Sequence, residues 1–157
     1  VFLVFSVSAL ADSALQSALQ QYVVETDKQG KEVFRPAEEA EPGETIEYRL
    51  TLTHVGECDK ADKQLCALNG LVPSLPIPTG TEYPAGTASA DAAALEVSID
   101  RGTTWESEPV TRLVKNAEGV EEEVVIPASQ YTNIRWQVAS PMLPAQERRY
   151  SYRVKVK

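Results

Sequence analysis

The chain has 157 residues, 43% of them hydrophobic and 24% charged, enough for one domain with a true core plus an appendage and too few for two full domains. Its 23 acidic and 15 basic residues give a formal net charge of −8, which repels a phosphate backbone and anionic headgroups alike and argues against nucleic acid as a partner. Ten prolines and eight glycines favour short strands joined by turns over long helices.

The first residues are an apolar run, with Val1, Phe2, Leu3, Val4, Phe5 and Val7, followed by Ser8-Ala9-Leu10-Ala11 ahead of Asp12. Small residues in an A-x-A arrangement after an apolar stretch look like the end of a secretory signal peptide, and export is the natural inference. At about eleven residues the run is shorter than the roughly twenty that a helical crossing needs, so no transmembrane span is expected. Two fates are open. The segment is cleaved before Asp12, or it is retained, and then Val1, Phe2, Leu3, Val4, Phe5 and Val7 are candidates to add as a strand to a neighbouring copy and build a filament.

Between residues 12 and 21, Ala14, Leu15, Ala18 and Leu19 recur at intervals of three and four, with Asp12 and Ser13 as caps. That spacing suits a short helix, although an extended tail fits as well. Residues 1–21 are accordingly read as an appendage and 22–157 as the folded unit.

From residue 22 onward the period is two. Residues 22–26 and 32–34 flank Asp27-Lys28-Gln29-Gly30 and read as strands joined by a tight turn. The clearest strand follows Pro42-Gly43: Ile46, Tyr48, Leu50 and Leu52 alternate with Thr45, Glu47, Arg49, Thr51 and Thr53, one face for a core and one for water. Cys58 and Cys66 sit in a polar stretch, and in an exported protein this pair points to a disulfide closing a small loop. Pro76 and Pro78 confine residues 76–83 to an edge or a connection.

Alternation resumes at Leu95, Val97 and Ile99 and ends at Asp100-Arg101-Gly102, ahead of Trp105. Residues 111–115 and 120–126 read as two more strands around Asn116-Ala117-Glu118-Gly119. Ile134, Trp136 and Val138 form one apolar face, and Tyr150, Tyr152, Val154 and Val156 another. Seven to nine strands at this spacing predict an all-β, immunoglobulin-like antiparallel sandwich. The expected core is Ile46, Tyr48, Leu50, Leu52, Leu95, Val97, Ile99, Ile134, Trp136, Val138, Tyr150, Tyr152 and Val154.

Three phrases resemble a known family. Pro42-Gly43-Glu44-Thr45-Ile46-Glu47-Tyr48 is similar to the opening strand of the conserved-repeat domains of bacterial surface proteins, a family of unknown function; His54-Val55-Gly56 stands where that family has an Asn-x-Gly turn. Leu75-Pro76-Ile77-Pro78-Thr79-Gly80-Thr81-Glu82-Tyr83, with Gly86-Thr87-Ala88-Ser89, looks like the family's second signature. Val97-Ser98-Ile99-Asp100-Arg101-Gly102-Thr103-Thr104-Trp105 is similar to a phrase of versions from Deinococcus and Thermus type envelopes. The resemblance runs from about residue 22 to the last residue and implies an immunoglobulin-like fold at the cell surface or in an envelope assembly, without any catalytic residues to carry across.

Sites for chemistry are sparse. His54 is the single imidazole, placed at the outward end of an alternating strand beside a loop, and no G-x-S-x-G phrase accompanies it. The Asp100-Arg101-Gly102 turn and the acids Glu57, Asp59 and Asp62 are the candidates for Ca²⁺, but neither group has a helix-loop-helix calcium spacing, and plain turns are favoured. Trp105 and Trp136 suit packing between sheets better than carbohydrate platforms. The expectation is a non-catalytic structural module, secreted or in the surface, periplasm or outer envelope of a bacterium, with no cofactor or metal. Its partners would be copies of itself or other envelope proteins; the alternative is a secreted or periplasmic binding domain for a glycan or metal ion.

Overall fold

The computed structural model describes residues 14–90 and 93–157, so Val1, Phe2, Leu3, Val4, Phe5 and Val7, the candidates for joining copies, lie outside the described residues. All-β architecture is what it shows. The strands are β1 (Leu15–Thr26), β2 (Glu32–Pro36), β3 (Thr45–His54), β4 (Ser74–Pro76), β5 (Thr81–Glu82), β6 (Ser89–Ala90), β7 (Ala93–Ser98), β8 (Thr111–Lys115), β9 (Glu121–Val125), β10 (Asn133–Val138) and β11 (Glu147–Val156). Three of these eleven, β4, β5 and β6, have only two or three residues; the eight longer ones match the number expected.

One sheet runs β2-β1-β3-β11-β5, with β6 also on β11; a second runs β4-β10-β7; β8 and β9 form a two-stranded sheet of their own. Every pairing is antiparallel. The predicted turn after β1 holds, with Thr26 opposite Glu32. Asp27 Oδ1 accepts from the N–H groups of Gln29 and Lys31, and Gly30 takes the left-handed φ of 81° that the turn needs.

The helical option for residues 12–21 is corrected over the described part. Leu15 to Gln21 is strand, paired residue for residue with β3 from Leu15–His54 to Gln21–Tyr48. A row of backbone hydrogen bonds to an already formed neighbour outweighs a local helical spacing of alanines and leucines. The strand passes without a break through the expected boundary at residue 22.

Parity along β3 decides the core. Ile46, Leu50 and Leu52 point inward and are buried, and across the interlayer space Val97, Ile134, Trp136 and Val138 meet them together with Tyr150, Tyr152 and Val154. Tyr48, Leu95 and Ile99 are only partly buried and pack against this cluster. Aromatic rings fill the centre: Trp136 lies 5.3 Å from Tyr150 and 6.4 Å from Tyr152, and Tyr152 stacks on Tyr48 at 5.0 Å. The Tyr152 hydroxyl donates to the Pro76 carbonyl at 2.7 Å, a direct tie between the two sheets. Val23, Tyr83, Val110, Tyr131 and Met142 complete the core.

Candidate interaction surface

Five of the large apolar side chains that remain exposed lie on one element, the β8–β9 hairpin: Leu113, Val114, Val120, Val124 and Val125. Leu113 is 70% exposed and Val125 58%. Its turn follows from Asn116, whose Oδ1 accepts from the N–H of Glu118 and of Val120, and from Gly119 at φ 80°. The hairpin is anchored at its base by Val110, which is buried and whose carbonyl accepts from Ile126 N–H. Beyond that base, among the described residues, neither strand pairs with either sheet. An isolated two-stranded ribbon is marginal in water, so this element presents apolar side chains and unused backbone where a partner can meet them.

Charge is divided unequally between its strands. Glu121, Glu122 and Glu123 stand in succession on β9. β8 carries Arg112 and Lys115, and Arg112 is drawn back by Glu106, with Nη1 2.8 Å from Oε2. That contact holds the Glu106 carboxyl below the usual carboxylate range.

The sequence-selected site residues have structural employment. Cys58 and Cys66 form the expected disulfide, with a Cα–Cα separation of 5.9 Å. His54 corrects the expectation of an outward position: it is 2% exposed, on the same inward face as Ile46, Leu50 and Leu52. Its Nδ1 accepts from Gly56 N–H at 3.1 Å, which leaves Nε2 to donate to the Cys66 carbonyl at 2.8 Å. The imidazole is thus the clamp between the sandwich and the disulfide loop. Lys63 donates from Nζ to the Cys58 carbonyl, and Asp62 caps the short 3-10 turn between the cysteines.

Asp100 spends its carboxylate on its own turn. Oδ1 accepts from Thr104 N–H at 2.8 Å and from the Ser98 hydroxyl at 2.7 Å, and Oδ2 accepts from the Thr104 hydroxyl at 2.7 Å. These donors, Thr104 foremost, lower its pKa to about 2. Among the described residues no three His, Cys, Asp or Glu side chains gather where a metal ion would sit. Trp136 is core as expected. Trp105 is only partly buried and departs from that expectation: it lies on the outer side of the β4-β10-β7 sheet with the Arg135 guanidinium 4.5 Å from its ring centre.

A second polar cluster was missed by sequence reasoning. Glu47 is 8% exposed although its parity faces away from the core. Arg49 and Arg153 both bond it, at 2.6 and 2.8 Å, and Arg153 also grips both oxygens of Glu32. Arg49 lies over the rings of Tyr22 and Phe34 at 4.6 and 4.2 Å. Beside it is an open depression of about 550 Å³ whose lining includes Gln20, Thr51, Arg149 and Ser151. Spaced charges of opposite sign were the available signal, but only the register of β1, β3 and β11 says which of them meet.

Among the described residues no helix is long and apolar enough to cross a membrane. No family model, curated protein or solved structure matches the chain.

Proposed function

We propose that this chain is a non-catalytic structural module of a bacterial envelope or extracellular assembly, working by contact with other protein surfaces. The observation that carries the reading is the β8–β9 hairpin, where exposed apolar side chains stand on a ribbon that, among the described residues, pairs with neither sheet. By register these side chains divide between the two faces of the ribbon, Leu113 and Val125 on one and Val114 and Val124 on the other, and exposed apolar side chains gathered on one projecting element suit an association surface. Supporting it, the lone imidazole, His54, has both ring nitrogens committed to backbone groups, which removes the most common general base from service. The Cys58–Cys66 disulfide fits an oxidising compartment, and the apolar run at residues 1–7 fits export.

The test is localisation in the producing cells with redox trapping. Intact cells should be labelled by antibody against the folded domain, and alkylation before lysis should find both cysteines blocked as a disulfide. Finding the chain inside the cell with free thiols would defeat the reading.

A further inference from the structure

We propose that the free edge of β8 pairs antiparallel with β8 of a second copy, joining two hairpins into one four-stranded sheet; this rests on the association role given above and names its partner.

Hydrogen-bond parity identifies which groups are offered. Asn116 N–H donates to the Val120 carbonyl at one end of the ribbon, and Ile126 N–H donates to the Val110 carbonyl at the other. Even-numbered residues of β8 therefore face β9 with their backbone, as the pairs Val114–Glu122 and Arg112–Val124 require. Odd-numbered Thr111, Leu113 and Lys115 turn their N–H and C=O groups to the opposite edge, which no other strand among the described residues occupies. The Thr111 carbonyl also accepts from Arg112 Nη1 at 2.7 Å, and a carbonyl has a second lone pair for a further donor.

The two edges of the hairpin differ in what they permit. A second chain approaching β9 meets three consecutive glutamates, a charged guard of the sort that keeps edge strands single. β8 carries its charges away from the centre of the edge, Lys115 at its end and Arg112 drawn to Glu106, which leaves Leu113 unguarded. In a two-fold arrangement centred on Leu113, Leu113 faces its counterpart, Thr111 faces Lys115 of the second copy, and Arg112 faces Val114. No like charges oppose each other, and the most exposed apolar side chain of the hairpin lies on the axis. An isologous contact of this kind closes on itself and yields a dimer. The net charge of −8 on each copy opposes association at low ionic strength, so added salt should tighten the joint by screening.

Two measurements on the full chain decide it. Sedimentation equilibrium should show the mass doubling with concentration, more readily in added salt, and Leu113→Lys should shift the population to monomer while its thermal unfolding stays cooperative. Residues exchanging both hydrogen bonds across antiparallel strands have Cα atoms about 5.5 Å apart, within disulfide reach. Leu113→Cys should therefore cross-link to a covalent dimer under mild oxidation, and Glu123→Cys, on the guarded edge, should not. A wild-type monomer at every concentration and salt, or cross-linking that favours Glu123→Cys, would overturn the β8 joint. Because localisation is measured separately, a monomer found on the outer surface of cells would remove this joint and leave the structural role standing.

Discussion

His54 reaches from the inner face of β3 to the carbonyl of Cys66, Nε2 to oxygen 2.8 Å, and so fastens the disulfide loop to the sandwich. Gly56 completes the clamp through its N–H to Nδ1. Replacing His54 by Ala takes the imidazole donor from the part-buried Cys66 carbonyl, at about 1–3 kcal/mol, and opens a cavity as well, while Gly56 N–H keeps the Ala14 carbonyl as acceptor. His54→Ala should lower stability to chemical denaturation by about 3 kcal/mol, and amide exchange in the loop should accelerate more than in β10.

Gly56 has no room for a side chain. A Cβ there would stand 2.7 Å from Ala14 Cβ and 2.8 Å from His54 Cε1, closer than such atoms come in practice. Gly56→Ala should destabilise by about 1–3 kcal/mol through overpacking, read as a lower unfolding midpoint. Gly70→Ala is an informative comparison, since nothing crowds a Cβ there and its cost is confined to the left-handed φ of 66°.

Cys58 and Cys66 are eight positions apart, so the bridge restricts the unfolded chain over a short loop only. Chain entropy assigns such a closure about 2–3 kcal/mol. Reduction should lower the unfolding free energy by that amount, read as a lower denaturant midpoint at unchanged slope, and leave the far-ultraviolet spectrum of the sandwich in place. Collapse of the strand signal on reduction would mean that the loop carries more of the fold than its contacts indicate.

These outcomes bear on what the residues alone disclose. The turns at Asp27-Lys28-Gln29-Gly30 and Asn116-Ala117-Glu118-Gly119 were legible because a side-chain acceptor and a left-handed glycine are local requirements. The faces of β3, β10 and β11 were legible because alternation is local too. Leu15 and Leu19 misled in part, because residues four apart share a face in a strand as they do in a helix, and only pairing with β3 separates the two. His54 could have been placed inward by extending the parity of Ile46 and Leu52 by one step. Tyr83, Val110, Tyr131 and Met142 lie outside the regular strands, and their burial depends on long-range packing that no short window contains. The same limit hid the hairpin: alternation names β8 and β9 as strands without saying that they join neither sheet.

Arg153 ties β11 to β2 and β3 on the outer face of the large sheet, since it bonds both Glu32 and Glu47, and those partners push its pKa upward. Arg153→Met keeps the stem and removes the charge, leaving nearly buried Glu47 with Arg49 as its ion-pair partner among the described residues. The expected loss is about 1.5–3 kcal/mol, the range for a hydrogen bond to a charged group. A double-mutant cycle with Glu47→Gln should show coupling above about 0.5 kcal/mol, because the two side chains share one network.

Acid sensitivity should centre on the Asp100 turn. The Asp100 carboxyl has its pKa lowered from 3.8 to about 2 in the folded chain, chiefly by Thr104 and then by Ser98. A group lowered on folding binds more protons when unfolded, so its contribution is complete above the unfolded value and fades as pH falls from about 4 to about 2. Glu96, held down by Arg135, and Glu32, held down by Arg153, act in the same direction. Thermal unfolding temperature should therefore decline on acidification through this window. Asp100→Asn cannot ionise and keeps one acceptor oxygen for Thr104 N–H, so the variant should start lower at pH 6 and decline less steeply than wild type below pH 4. Parallel curves for the two proteins would show that Thr104 and Ser98 do not stabilise the ionised carboxylate, and would move the source of acid sensitivity to the arginine-paired glutamates.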